Sequence, residues 1–424
     1  MTQKVLLNHT EDGPVDFETY RKHGGYAALE KVLREKDPRG LIDEIKRSGL
    51  RGRGGAGFPT GKKWEMVASH HEAERYLVCN AGEHEPGTFK DRHMLKLNPH
   101  HLIEGMIIGT YAVGAKGSTI FIDGSFSEEI ASLKGAIASA RSAGYLGDRI
   151  LGTDFSCAIE IFNGPSTYVA GEETALLEAM QGREPKPRHK PPYYPTVHGL
   201  YGKPTLVNNV ETFSNVPYIL LKGADWYRTM GTASCPGTMM FSISGDVNKP
   251  GVYELPFGTS LRKLVYECGG GMKDGKELKV VYPGGPSQAF LLPKDLDTPM
   301  DFDSLKGLGS GLGSAGVIAL DETTCMVERT MTYCRFFEKE SCGQCPPCQM
   351  GTHYLHQTLE KIETGKGKPE DIETLKQLSG FVKGRGDCTV VTSAATAVQT
   401  GLEHFSHEFE EHLKEGRCTF KVAG

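Results

Sequence analysis

Three cysteines in the run Ser341-Cys342-Gly-Gln-Cys345-Pro-Pro-Cys348 follow the spacing C-x2-C-x2-C. Thiolates so spaced wrap one metal centre, and an iron–sulfur cubane needs a fourth ligand. Cys388 is the best candidate, lying beyond two helical stripes. Cys334 falls outside the motif's spacing and Cys418 stands near the end of the sequence, so both fit less well. A four-cysteine zinc site is the rival reading, although zinc favours two C-x2–4-C pairs over a triplet and a distant single.

The second chemical feature is the loop Arg51-Gly-Arg-Gly-Gly-Ala-Gly-Phe-Pro-Thr-Gly-Lys-Lys63. Gly52, Gly54 and Gly57 satisfy G-x-G-x-x-G, but the motif follows a helical pattern where a dinucleotide fold requires a strand. Its amides and the cations Arg51, Arg53, Lys62 and Lys63 suit phosphates, and Phe58 offers an aromatic face. The plain alternative is a loop with demanding geometry and no ligand. A later match, Gly311-Leu-Gly313-Ser-Ala-Gly316, runs into a strand-like segment and reads as structural.

Acidic and amide groups accompany the loop. Asn80-Ala-Gly-Glu83-His-Glu85 follows an apolar strand, where α/β sheets bind ligands. Gly171-Glu172-Glu173-Thr174 opens a helix; its carboxylates either complement the helix dipole or grip ribose hydroxyls, which disfavours a 2′-phosphate. Asn208-Asn209 offers paired donors and acceptors of the kind an isoalloxazine edge needs, or else serves as a turn or cap. Residues 183–192 form a basic, proline-rich loop whose lysines either stay solvated or meet cofactor phosphates. His70-His71 and His100-His101 lack ligand spacing and read as surface or helix-end residues.

These groups need a frame. The first fifty residues read as helical, with Asp37-Pro38 an N-cap and first-turn proline ahead of Leu41, Ile42 and Ile45 on one face. Apolar runs at 75–80, 119–123 and 157–162 suit buried strands, with helices such as 127–143 between them, which predicts an α/β layer. Alternation at 239–243, the Pro250-Gly251 turn, a return at 252–255, a short helix stopped by Gly269–Gly271 and a strand at 279–282 make a β-grasp-like pattern that ends near residue 320. Beyond it, Tyr354, Leu355, Leu359 and Ile362 form one helical stripe; Ile372, Leu375 and Leu378 form another. Val398, Leu402, Phe405, Phe409 and Leu413 form a third, and all three predict bundle core.

Bulk composition narrows the class. A 424-residue chain implies two or three domains. The net charge of −5 gives no electrostatic case for nucleic acid. No apolar run reaches membrane-spanning length, and the start carries neither a signal-peptide nor a transit pattern, so the expected location is cytoplasmic. Eleven cysteines are an odd count at scattered positions, a poor disulfide framework. Cys79, Cys157, Cys235 and Cys268 read as inert thiols.

In combination, Gly-Arg-Gly-Gly-Ala-Gly-Phe-Pro-Thr-Gly, Glu-Pro-Gly-Thr-Phe-Lys-Asp-Arg, Gly-Glu-Glu-Thr-Ala-Leu, Gly-Lys-Pro-Thr-Leu-Val-Asn-Asn-Val-Glu-Thr and Glu-Ser-Cys-Gly-Gln-Cys-Pro-Pro-Cys closely resemble the NADH-binding flavoprotein subunit of respiratory complex I. Related subunits serve NAD-linked formate dehydrogenases and NAD-reducing hydrogenases. The likeness spans roughly residues 20–415. It implies a Rossmann-like α/β domain (1–236) for FMN and NADH, an SLBB ubiquitin-like domain (237–320) and a helical [4Fe–4S] domain (321–424).

For individual residues, the resemblance implies that the loop bearing Gly52, Arg53, Gly54, Gly55 and Gly57 faces both cofactors. Phe58 would stack on the adenine and Lys63 would lie near phosphate. It sets Asn80, Glu83, Glu172, Asn208, Asn209 and Thr212 around FMN, Glu85 and Glu173 near the nucleotide, and Tyr168 and Gly171 at the same site. Cys342, Cys345, Cys348 and Cys388 would ligate the cluster, and no side chain acts as acid, base or nucleophile. The implied partners are a thioredoxin-like [2Fe–2S] subunit and further iron–sulfur subunits of a peripheral arm, which would hold the chain at the inner face of the cell membrane. Four positions depart from the family pattern. Gly82 replaces an Asp, Met66 stands for an aromatic, Tyr193-Tyr194 adds a residue, and Cys388 is followed by Thr-Val-Val.

Overall fold

The structure is a computed structural model that describes residues 4–71 and 74–420. Three short helices lead, α1 (Phe17–Lys22), α2 (Ala27–Glu35) and α3 (Pro38–Ser48). The cap expected at Asp37 is present: its carboxylate accepts the Gly40 N–H at 2.9 Å, and Gly49 in the left-handed region (φ 70°) ends the helix. Helix α4 (Thr60–Ala68) then leads into strand β1 (Tyr76–Ala81). Helices α5 (Lys90–Leu97) and α6 (Pro99–Val113) connect it to β2 (Gly117–Asp123), and α7 (Ser127–Ser142) leads on to β3 (Ile159–Gly164). Helix α8 (Glu173–Met180), β4 (Thr205–Asn209), α9 (Val210–Lys222) and α10 (Ala224–Arg228) complete this layer. The sheet is wholly parallel in the order β3-β2-β1-β4, with Tyr76 opposite both Gly117 and Thr205. β1 is central and buried on both faces, which is why its sequence is a continuous apolar run.

Strands β5 (Thr238–Gly245), β6 (Gly251–Pro256) and β7 (Leu278–Tyr282), helix α11 (Phe302–Gly307) and strand β8 (Gly316–Asp321) form a second, mixed unit. Its order is β6-β5-β8-β7, with β8 parallel to β5 and antiparallel to β7. The short helix ahead of the triple glycine is a π-turn over Lys263–Cys268. The bundle follows as α12 (Met326–Lys339), α13 (Pro346–Glu363), α14 (Pro369–Val382) and α15 (Val390–Glu415). Leu355, Leu359, Ile362, Leu375, Val398 and Phe409 are buried in it as the stripes required, but Tyr354 is 48% exposed and points away from the core.

His100 and His101 stand at a helix end, in the first turn of α6, but not at the surface, being only 2% and 1% exposed. Helix α6 is buried on nearly all sides, so its polar residues are internal and must find partners. His100 Nδ1 lies 2.9 Å from the Tyr26 hydroxyl, and His101 Nε2 lies 2.9 Å from that of Tyr218. Burial pushes their pKa values from 6.5 down to about 4 and about 3. Both are therefore neutral in the fold, whereas the unfolded imidazoles take up protons below their ordinary pKa. Stability is full above that value and declines as the pH falls towards the depressed values. The loss at pH 5 is about 2 kcal/mol for each. A His100→Gln/His101→Gln double variant should show a flatter thermal-unfolding profile between mildly acid and neutral pH. An unchanged slope would exclude this pair as the source of acid sensitivity.

Candidate functional site

A cleft of about 480 Å³ opens at the carboxyl end of the parallel sheet. The glycine loop forms one wall. It is pinched at its base by Gly52 N–H donating to Phe58 O and Thr60 N–H donating to Leu50 O, at 2.8 and 2.9 Å. Gly55 (φ 121°) requires glycine, and a Cβ there would enter open cleft, its nearest neighbour 4.0 Å away across the gap. At Gly57 (φ 61°) a Cβ would strike the Phe302 ring at 2.8 Å. Phe58 is 41% exposed over the cleft, with Lys63 Nζ 5.9 Å from its ring. Lys63 also pairs with Glu173 at 3.0 Å.

Arg53 does not face the cleft, against the expectation for a loop cation. Its side chain is fully buried behind the loop, donating to Arg51 O, the Tyr227 hydroxyl and Thr238 O at 2.8, 2.8 and 3.1 Å, and lies over Phe257. Only its backbone serves the loop, its N–H donating to Thr212 Oγ1 at 2.9 Å. Arg51 likewise braces from behind, on Gly57 O and the Phe302 ring.

The remaining candidates converge from three strand ends and from α8. Asn80, Glu83, Glu85, Tyr168, Gly171, Glu172, Glu173, Asn208, Asn209 and Thr212 all line the cleft. Several also have structural duties. Glu172 caps α8, accepting the N–H groups of Thr174 and Ala175 at 2.8 and 2.9 Å, and pairs with Lys190 at 2.6 Å. Asn209 caps α9 through Glu211 N–H, and Asn208 accepts from the Trp64 indole at 2.9 Å. Glu83 accepts the N–H groups of Asp91 and Arg92 at the start of α5. Burial, reinforced by the Asp91 charge, pushes its pKa up to about 7.

Beneath the cleft, Lys90 is fully buried between Asp91 (2.8 Å) and Glu211 (2.7 Å). Burial opposes its charge, but Asp91 and Glu211 outweigh burial and hold its pKa above the usual lysine value. Asp91 in turn receives the Asn209 amide, and Glu211 accepts Met240 N–H from β5 at 3.0 Å. One buried cation thus ties the cleft floor to both sheets.

The contribution of the second sheet was not foreseeable from the motifs. Gly284, Ser287, Gln288, Gly313 and Ser314 line the same cleft, so the second glycine match stands on its wall. Glu85 accepts Ser287 N–H at 3.0 Å and the hydroxyls of Tyr168 and Ser287 at 2.7 and 2.8 Å. Ser314 meets Thr88 at 2.7 Å. The signal available in the sequence was the glycine density at 284–285 and 311–316; nothing in it gave the direction in which those turns would face. Gly82, the position without an Asp, donates its N–H to Asn80 Oδ1.

Cys388, Thr389 and Val390 also line the cleft. Cys345 opens α13, its sulfur receiving Asp387 N–H at 3.3 Å, and Cys348 Sγ lies 3.3 Å from Ser341 Oγ. The proline-rich loop closes over this end: Gln344 donates to Pro187 O at 2.7 Å and to Asp387 at 2.8 Å, and His189 meets Asp387. Among the described residues, no three of Cys342, Cys345, Cys348 and Cys388 bring their sulfurs within 4.8 Å of one another, as one zinc ion requires. Cys334 is buried against Ala394 O, and Cys418 lies in a different group of side chains.

A parallel α/β layer with a bare glycine loop, joined at one cleft to a four-cysteine helical domain, defines a flavin- and iron–sulfur-bearing electron-transfer protein. The chain belongs to the NADH-quinone oxidoreductase-F family. The Nuo51 FMN-binding domain matches residues 45–218, the SLBB domain 240–291, and the NADH-ubiquinone oxidoreductase-F iron-sulfur binding region 328–412. It is 45% identical to the second F-type subunit of the NADH-quinone oxidoreductase of Rhizobium meliloti over 99% of this chain and 100% of that one. With the NADP-reducing hydrogenase subunit HndC of Solidesulfovibrio fructosivorans it shares 42% identity over 96% and 83%. A solved NAD+-reducing [NiFe]-hydrogenase chain superposes with a TM-score of 0.85 at 34% identity, covering 97% of this chain and 67% of that one.

The cofactors are FMN and one [4Fe–4S] cluster, with NADH the substrate. FMN supplies a two-electron hydride acceptor that can release electrons singly, and the cluster supplies a one-electron carrier. Both fit the residues present: Gly55 leaves bare backbone where a Cβ would intrude on a ligand, and Cys342, Cys345, Cys348 and Cys388 are free thiols, the number that a cubane takes. Among the described residues, no helix is long and apolar enough to cross a membrane.

Proposed function

We propose that FMN and NADH share the cleft in a defined order, with the sheet floor under the flavin and the glycine loop over the nucleotide. Asn80, Glu83, Gly171, Glu172, Asn208, Asn209 and Thr212 surround FMN. Phe58 stacks on the adenine, Lys63 and the amides of Gly52–Gly57 meet phosphates, and Glu85, Tyr168 and Glu173 hold the nucleotide. Arg53 acts only by fixing the loop. Cys342, Cys345, Cys348 and Cys388 hold the cluster, within a chain divided at about residues 236 and 320. No proton shuttle is assigned, because hydride transfer needs geometry and a dry site above all.

One observation carries this reading: Cys388 and its neighbours share a cleft wall with the glycine loop, so the one-electron carrier borders the hydride-accepting site. The electrons then pass to a thioredoxin-like [2Fe–2S] subunit and to further iron–sulfur subunits of a peripheral arm, through which the chain sits at the inner face of the cell membrane. The quinone-reducing assignment is favoured by the end-to-end match at 45% identity. A hydrogenase or formate dehydrogenase diaphorase is the second reading, supported by the hydrogenase relatives. Co-purification of a nickel- or molybdenum-containing partner would select it. An anaerobic spectrum of the purified chain tests the core: NADH should bleach the flavin bands and reduce the cluster, and a flavin that NADH leaves oxidised refutes it.

Glu173 also sets nucleotide choice in this reading, since a carboxylate near the ribose repels a 2′-phosphate. Glu173→Ala should raise the NADPH/NADH ratio of kcat/KM by roughly 10-fold, the size of one lost charge interaction. The change also frees Lys63 from its 3.0 Å ion pair, which adds an attraction for phosphate. An unchanged ratio removes Glu173 from the specificity site.

A further inference from the structure

We propose that Cys325, Glu363, His412 and Cys418 form a second metal site, a closed four-ligand centre for zinc that staples the C-terminal segment onto the helical bundle. All four residues are buried, and one ligand atom from each lies within 4.8 Å of the other three. Cys325 Sγ is 3.4 Å from His412 Nε2 and 3.9 Å from Glu363 Oε2, and the last two atoms are 3.3 Å apart. Tetrahedral zinc with ordinary bond lengths sets its nitrogen, oxygen and sulfur ligands about 3.3 to 3.8 Å from one another. The three separations among Cys325, Glu363 and His412 lie at or within about 0.1 Å of those edges, and Cys418 Sγ stands within 4.8 Å of all three, close enough to complete the tetrahedron with a small adjustment.

The surrounding groups orient the ligands as a metal requires. His412 Nδ1–H donates to Glu408 O at 2.7 Å, which fixes the tautomer and turns the Nε2 lone pair towards the two thiols and the carboxylate. Glu328 N–H donates to Cys325 Sγ at 3.3 Å, the kind of contact that supports a thiolate. The ligands come from four separate places: the N-cap of α12, the last residue of α13, the last turn of α15, and the segment past the Gly416 cap. Four protein ligands with none from solvent define a structural site, and two thiolates with an imidazole favour zinc over magnesium or calcium. This site shares no ligand with the Cys342–Cys388 set. It adjoins the seam to the second sheet, where Lys279 of β7 reaches Thr324 O at 2.6 Å and Glu408.

Elemental analysis of the full-length holoprotein, grown with iron and zinc supplied, tests the site. About one zinc per chain is expected beside about four irons, with zinc-edge X-ray absorption showing two sulfur and two nitrogen or oxygen neighbours. Cys418→Ser and His412→Gln should each lower bound zinc about 10-fold or more, with flavin and cluster iron retained. A folded, flavin- and iron-replete protein that takes up no added Zn2+ overturns the proposal. So does a Cys325–Cys418 disulfide in the freshly purified chain, or zinc that both variants keep. The absorption measurement on the unmodified protein decides the matter even if the variants fold poorly: four-sulfur coordination would assign the zinc to the Cys342 motif and sink the site.

Discussion

Replacing Cys388 by serine is expected to yield a flavoprotein that NADH still reduces but from which electrons no longer leave. The glycine loop, the α8 cap and the asparagine pair do not depend on this thiol, so the contacts proposed for FMN and NADH are kept. On the proposed ligand set the cluster loses its fourth thiolate, and the other candidates stand elsewhere: Cys334 is buried against Ala394 O, and Cys418 groups with Cys325, Glu363 and His412. Iron content and the low-temperature EPR signal of the reduced cluster should fall, and electron delivery from NADH to a one-electron acceptor downstream of the cluster, such as the proposed [2Fe–2S] partner, should drop by on the order of 100-fold. Flavin bleaching by NADH should survive. A variant with full cluster signal and full partner reduction would remove Cys388 from the ligand set.

The second large effect belongs to a residue with no direct part in the chemistry. Lys90→Met deletes the cation between Asp91 and Glu211 and leaves Glu83 nearby, so three buried carboxylates face one another with only the longer contacts of Arg53 and Arg92 to offset them. Arg53, 3.8 Å from Glu211, is the one other cation on this carboxylate among the described residues. Removing one partner of a buried ion pair costs roughly 3 to 5 kcal/mol. For a domain of this size, that lowers Tm by on the order of 10 °C. Thermal unfolding should show the loss, with flavin released in the same transition because Asp91 carries the Asn209 amide at the cleft floor. Carboxylate protonation relieves the repulsion, so the deficit should shrink as the pH is lowered towards 5. A variant as stable as the parent at neutral pH would show that Lys90 is dispensable.

Sequence patterns revealed what depends on local spacing. Asp37 caps where its type and position required, β1 and β2 occupy the apolar runs, and the buried stripes of α13 and α15 follow helical periodicity. What escaped depends on packing across long distances. Arg53 reads as a loop cation, yet its guanidinium turns inward because Glu211, Tyr227 and the Thr238 carbonyl lie behind the loop. His100 and His101 read as surface or helix-end residues; they do open α6, yet they are buried because α6 is covered by α9 and the sheet. Ser287 and Gly313 reach the cleft only because the second sheet docks against the first, and no periodicity encodes docking. The group around Cys325 escaped for a similar reason, its members being scattered between residues 325 and 418 with no motif spacing.

Glu254 near the end of β6 receives the N–H groups of Val5, Leu6 and Leu7 together with the Thr238 hydroxyl, all at 2.6 to 3.0 Å. The partners Val5 and Glu254 are 249 residues apart. On the ribosome, the amides of this early segment therefore wait on the order of 10 to 50 s before their acceptor is made. During that interval the amides of residues 5–7 have no native acceptor. The clasp that fastens the start of the chain to the second sheet can therefore close only after β6 has been made.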